Sequence, residues 1–295
     1  MKISDLSDEY IAYLESVLNY SPLTIKNYIS DLSIFNDYMH DELNVNSIKD
    51  ITDIHIIKFV GFTKKILNNS PYATARKLRC LKAYFRYALE RHYLDKSPAE
   101  RIREPKIEKR LPIYLTLEES QILLRVIGGK FKERDYAMTM IFIFCGLRVS
   151  ELANINLENI NLHDGFINVI GKGNKERLVP INELVIAAIK QYLTVRPAVS
   201  TTALFLSVRK TRISVRAIQL IIKKYAELSG VSKKISPHKL RHTCATLLYN
   251  EGSLLELKEF LGHNSVVTTQ IYAHTNADQI KKLAASNPLI DKLRK

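Results

Sequence analysis

Proline follows serine at four places in this chain: Ser21-Pro22, Ser70-Pro71, Ser97-Pro98 and Ser236-Pro237. A serine hydroxyl satisfies free N–H groups at a helix start, and proline suits the first helical position, where an N–H has no partner anyway. Each pair therefore predicts a helix, and Ser97 with Glu100 adds the spacing of a capping box. The stretches Leu23–Tyr38 and Ala73–Tyr93 are amphipathic. In the second, Leu78, Leu81, Phe85 and Leu89 recur at helical spacing and are expected to face a core. Arg76, Arg79, Lys82 and Arg86 recur on another face. That basic stripe is suited to following a phosphate backbone.

The charged, proline-bracketed run Arg101–Pro112 lacks apolar periodicity and reads as a linker between two domains, 1–107 and 108–295. Thr116 and Glu119 then have the spacing of a capping box. A helix through Tyr136–Cys145 is expected to end at Gly146, with Arg148 just past it and a short helix starting near Ser150. Asp164-Gly165 is a turn signal, and Phe166–Ile170 and Arg177–Ile181 are β-branched and apolar. This predicts a small antiparallel meander with a lysine-rich tip at Gly171–Glu176. Everything after Glu183 reads as helix again.

Hydrophobic residues make up 46% of the 295, enough for a real core, so disorder is excluded as the main state. No apolar run approaches the ~20 residues of a membrane span. The polar N-terminus has no signal-peptide pattern, so a soluble, cytoplasmic protein is expected. Cys80, Cys145 and Cys244 are widely spaced and are expected to be reduced, packed thiols. The net charge of +14 is unevenly spread. Residues 1–57 carry 3 basic and 10 acidic side chains, residues 58–109 carry 14 and 5, and the rest carry 27 and 15. A polyanion is the expected partner of the basic portion.

There is no HExxH, Walker A loop, dinucleotide fingerprint or GxSxG. His238 and His242 are four apart on one predicted helix, but further metal ligands are not evident, and no metal is expected. Ser236-Pro237 places His238 in the first helical turn and Arg241 one turn on. An imidazole and a guanidinium beside free N–H groups suit an anion. Gly262, His263, Thr268, Thr269, Tyr272 and His274 follow, so phosphate-friendly groups and a hydroxyl nucleophile gather near the end of the chain.

The segments CGLRVSEL, VIGKGNKERLVPI, HKLRHTCATLL and LGHNSVVTTQIYAH, in this order and spacing, resemble the tyrosine site-specific recombinases. Among these the likeness is to the Xer-type recombinases and the compact phage or transposon integrases, and it covers nearly the whole chain. It implies a multidomain α and α+β fold. A helical, SAM-like core-binding domain precedes a mostly helical catalytic domain with a small β-meander, and the two clamp a duplex. Met1 falls near the start of the core-binding domain, so simple core sites are expected.

The resemblance also implies an active site of Arg148, Lys172, His238, Arg241, His263 and Tyr272, with Glu151 orienting the arginine. The two arginines hold the nonbridging oxygens of a phosphodiester. Tyr272 attacks phosphorus, giving a 3′-phosphotyrosine and a free 5′-hydroxyl, helped by His238 because a phenol of pKa ~10 is a weak nucleophile at neutral pH. Lys172 protonates the leaving oxygen and His263 donates to a nonbridging one. Neither metal, ATP nor other cofactor is needed. Lys175 and Arg177 are expected to touch DNA phosphate, to cap the hairpin, or simply to be solvated. His242 and His274 match no catalytic position and read as structural or backbone contacts.

Four protomers, identical or paired with a paralogue, are implied on two double-stranded DNA sites, exchanging strands through a Holliday junction. The tail Ala277–Lys295 would dock on a neighbouring protomer, with packing on its own domain as the alternative. Chromosome-dimer resolution and mobile-element integration or excision both stay open. So do a nick-and-reseal enzyme like a type IB topoisomerase and a non-catalytic DNA-binding protein.

Overall fold

A computed structural model describes residues 1–107, 113–171, 176–249, 260–261 and 285–293. The chain divides into two compact units, Met1–Arg110 and Leu111–Lys295.

The first unit is helical: α1 (Ile3–Ser16), α2 (Pro22–Asp37), α3 (Asp53–Lys65) and α4 (Pro71–Glu90). Ser21 and Ser70 cap α2 and α4 as their sequence predicts, accepting the N–H groups of Thr24 at 3.3 Å and Ala73 at 3.2 Å. The inner faces meet in a core that includes Leu6, Leu14, Leu32, Phe35, Phe59, Leu81 and Phe85. α4 is its widest contributor, burying Leu78, Leu81, Tyr84, Phe85 and Ala88. Leu89 departs from expectation and is 37% exposed. Tyr84, Phe85 and Ala88 already fill the inward positions of the last turns, and Leu89 rotates outside them. Ser97-Pro98 also departs. It opens only a turn, in which Glu100 N–H meets the Ser97 carbonyl at 3.4 Å. Ala99 is buried in the core, but the charged residues that follow offer no apolar face to bury as a helix.

The second unit is built on α6 (Lys132–Cys145). Ala137 through Cys145 are buried on every side, the pattern of a central helix. α5 (Leu117–Arg125), α8 (Glu183–Val195) and α10 (Pro237–Tyr249) pack on α6, and α9 (Val215–Leu228) packs on α5, α10 and α7 (Val149–Asn154). The predicted capping box opens α5. Glu119 N–H donates to Thr116 Oγ1 at 3.2 Å, and Glu119 Oε2 accepts the Thr116 N–H at 2.7 Å. α6 ends at Gly146 in the left-handed conformation, φ +58°.

The meander is present as β1 (Ile160–Asn161), β2 (Phe166–Ile170) and β3 (Glu176–Pro180), antiparallel in the order β1-β2-β3. Gly165 turns at φ +75° between the first two. Ile167, Val169 and Val179 point into the core, and Val169 lies opposite Arg177.

Not everything beyond Glu183 is helical. Residues 201–213 form an irregular segment with bridges Asn156↔Ala203 and Leu206↔Arg212. Arg196 donates to the carbonyls of Thr201, Ala203 and Leu204, replacing helical partners, while Leu204, Phe205 and Leu206 are buried in succession. A last short helix, Leu289–Leu293, packs on α5 of its own unit. Leu289 and Ile290 are buried there, Lys292 pairs with Glu118 at 2.6 Å, and Gln121 donates to the Lys292 carbonyl. The described part of the tail thus packs on its own domain, the alternative reading of its sequence. Two apolar side chains gain ~1.5–3 kcal/mol each by burial where a face is at hand. Among the described residues no helix is long and apolar enough to cross a membrane.

Candidate active site

The left-handed turn at Gly146 ends α6 and lets the chain reverse. Leu147 is buried, and Arg148 falls in extended backbone as the N-cap residue of α7. Glu151 lies three residues on and reaches back. Its Oε2 accepts the Arg148 N–H at 2.7 Å and its Oε1 accepts Arg148 Nη1 at 2.8 Å. Two further arginines converge on this carboxylate. Arg177, from β3, donates through Nη1 and Nη2 to Oε1 and Oε2, both at 2.9 Å. Arg241, from α10, brings Nη1 to 4.0 Å from Oε2.

Glu151 is buried. Burial alone would raise its pKa, but hydrogen bonds from Arg177 and the Arg148 backbone, with the Arg177 charge, hold it down at about 2. It is therefore ionised at any working pH. Arg241 is buried too, and its pKa is pulled down to about 10, first by desolvation and then by the neighbouring Arg148 charge, with Glu151 opposing. Its guanidinium donates to the carbonyls of Gly146 and Leu261, each at 2.5 Å. Three guanidinium groups around one carboxylate leave a net positive site among the described residues. Arg148 is its outward member, with its side chain 39% exposed, against 5% for Arg241 and 17% for Arg177. A cleft of about 390 Å³ runs from Arg148 to Gly171 and is lined by Ser150, Asn154, Asn159 and Asn168.

His238 is exposed in the first turn of α10, whose first bonds go to the Ser236 carbonyl. Its Nε2 lies 3.1 Å from Nε2 of His242. The structure thus brings Arg148, Glu151 and Arg241 together, adds Arg177, and gives His242 a specific partner in His238. Lys172, Lys175, His263 and Tyr272 lie outside the described residues. The Arg177–Glu151 pairing was not visible in the sequence, where the two stand 26 positions apart. The His238–His242 spacing was visible, but only as an unsupported metal pair. Cys80, Cys145 and Cys244 are buried free thiols, as expected, and burial pushes Cys80 and Cys244 up to about 12.

In the first unit, Arg76, Arg79 and Arg86 are exposed on one face of α4 and Lys82 is half-buried. Two of the four are paired. Arg76 forks onto the buried Asp31, and Arg79 donates to Glu104 Oε2 through Nε at 2.9 Å and Nη2 at 2.6 Å. Lys77, next to the stripe, is buried and meets Asp31 at 2.7 Å.

Residues 114–279 match the model of the phage integrase family, and residues 7–92 match that of the phage integrase N-terminal SAM-like domain. The chain belongs to the phage integrase family. It is a tyrosine recombinase of Xer type, with site-specific recombination as its activity. The recombinase is 41% identical to the tyrosine recombinase XerC of Caldanaerobacter subterraneus subsp. tengcongensis, over 98% of this chain and 88% of that one. It is 35% identical to the tyrosine recombinase XerD of Staphylococcus epidermidis, over 95% and 97%. A solved structure, a lambda integrase tetramer bound to a Holliday junction, superposes with a TM-score of 0.74 over 92% of this chain and 81% of that one. At 18% identity this last likeness is one of fold.

Proposed function

We propose that this recombinase cuts one DNA strand at a time with Tyr272, holding the scissile phosphate by Arg148 and Arg241. The tyrosyl oxygen bonds to phosphorus as the bond from phosphorus to the 5′-oxygen breaks. His238 takes the phenolic proton, and Lys172 gives one to the departing 5′-oxygen. His263 donates to a nonbridging oxygen. The phosphotyrosine conserves the bond energy, so an incoming 5′-hydroxyl reverses the step without ATP. The observation that carries this reading is the arginine cluster on Glu151. It is a preorganised, net positive cradle whose outward member is Arg148, as charge stabilisation of a phosphoryl transition state requires.

The helical unit contributes the α4 stripe to the phosphate backbone. Four protomers, identical or paired with a paralogue, act on two sites and pass through a Holliday junction. The tetrameric lambda integrase complex, of the same fold, supports this stoichiometry.

The deciding experiment uses a nicked suicide duplex carrying the site that the protein protects in a genomic fragment library. Wild type is expected to trap a covalent adduct, and Tyr272→Phe to bind without trapping. No adduct from wild type would leave a DNA-binding protein only. Adducts that reseal but never exchange between two duplexes would leave a nick-and-reseal enzyme. The protected genomic positions separate chromosome resolution, at one site near the replication terminus, from transposition, at element ends.

A further inference from the structure

We infer that Arg177 is a positioning residue for the phosphate-gripping arginines, acting through Glu151, and not a phosphate contact. The inference rests on the recombinase reading above. Each Glu151 oxygen has two donors, and Arg177 supplies one to each. Oε1 is shared by Arg148 Nη1 and Arg177 Nη1, and Oε2 by the Arg148 N–H and Arg177 Nη2. Two parallel N–H bonds from one rigid fork fix the plane of a carboxylate, which a single contact does not. The direction in which Glu151 aims Arg148 is therefore set from β3. The strand is itself held in register, with Arg177 opposite Val169 and Glu176 opposite Ile170. Arg177 is turned inward, whereas Arg148 is presented outward. Without the fork, the nearly inaccessible carboxylate keeps hydrogen bonds only from Arg148 among the described residues, with Arg241 Nη1 4.0 Å away. It is then free to swing and binds a proton more readily.

The test uses the full-length protein and a nicked duplex bearing the sequence that wild type selects from random-sequence DNA. Arg177→Lys keeps the charge and loses the fork, and Arg177→Gln loses both. For both variants the expected DNA affinity stays within about threefold of wild type, while the single-turnover rate of covalent adduct formation falls by roughly 10–100-fold, the scale of a small misplacement of a catalytic group. The acid limb of that rate's pH profile moves to higher pH, because Glu151 protonates earlier. A 5′-bridging phosphorothiolate, whose sulfur leaves without needing a proton, does not restore the rate.

A tenfold loss of affinity with an unchanged adduct rate would make Arg177 a phosphate contact and overturn the inference. Full rescue by the phosphorothiolate would overturn it by placing the defect at the leaving oxygen. A wild-type rate in Arg177→Lys would also overturn it, because charge alone would then suffice. Should Arg177→Gln fail to fold, as judged by circular dichroism, Arg177→Lys decides. If wild type itself forms no adduct, the recombinase reading falls, and this role with it.

Discussion

Arg241 donates from α10 to the carbonyl of Gly146 at 2.5 Å, two residues before Arg148. The same guanidinium reaches the Leu261 carbonyl, two residues before His263. One buried side chain thus ties three segments, each carrying a candidate catalytic group.

Gly146 is the weak point of that tie. Its φ of +58° is unfavourable for any side chain, and an added Cβ would lie 2.7 Å from Leu261 Cδ2 and 3.1 Å from Cys244 Sγ. Gly146→Ala is expected to destabilise the catalytic unit by about 1–3 kcal/mol. A fall in the thermal midpoint of about 2–4 °C per kcal/mol would register it. Adduct formation is expected to drop beyond what the unfolded fraction explains. A midpoint equal to wild type would contradict the packing.

Glu151 gives an acid-side signature. Its folded-state pKa of about 2 lies below the ordinary glutamate value of ~4.3, so its contribution to stability is complete above that value and is lost as pH falls towards 2. The size is on the order of 3 kcal/mol. Urea midpoints measured from pH 5 to pH 2 should decline less steeply in Glu151→Gln than in wild type. Parallel curves would mean the carboxylate is not held as described.

The His238–His242 contact has the same sign but acts at higher pH. Desolvation, then the neighbouring His238 and Arg241, lower the pKa of His242 below that of an exposed imidazole. The unfolded chain therefore takes up the proton first, and stability falls as pH drops through the ordinary histidine range near ~6.5. His242→Gln should flatten the stability profile between about pH 7 and 5. The same substitution frees Nε2 of His238, and a changed pH optimum for adduct formation is expected with it. An unaltered optimum would reduce His242 to packing.

In the helical unit, charge has two separate duties. Asp31 is buried with Arg76 and Lys77 on it, so Asp31→Ala strands Lys77 and is expected to cost about 3–5 kcal/mol of stability. Arg86 is exposed and has no ion pair among the described residues. Arg86→Ala should leave the thermal midpoint within about 1 °C while lowering DNA affinity and reducing the salt dependence of binding by about one counterion. Equal losses of stability in the two variants would refute the division.

Local chemistry was legible where one or two residues decide it. The caps at Ser21, Ser70 and Thr116, the Gly146 stop and the Gly165 turn all follow from rules spanning a few positions, whereas the pairing of Glu151 with Arg148 came from the family resemblance. What escaped depends on tertiary partners. Ser97-Pro98 has helix-opening chemistry, but no apolar face follows it. Leu89 has the right spacing, but Ala88 already occupies the inward place. Lys77 looks like one more surface cation until Asp31, 46 positions away, is buried beneath it. Arg134 and Asp135 likewise read as ordinary charges, yet they form a buried pair, with the Tyr225 hydroxyl 2.9 Å from Asp135 Oδ2. Arg177 belongs to this class, since nothing local to the hairpin names Glu151 as its target.

The seating of Leu289 and Ile290 bears on how subunits would join. A tail already lodged in its own domain would give up one apolar berth for an equivalent one if it exchanged between copies, so such a swap would be nearly neutral in energy for each subunit. Whether copies interlock then depends on local crowding along the duplex more than on any new adhesive surface. On those terms subunits would lock only where DNA gathers them.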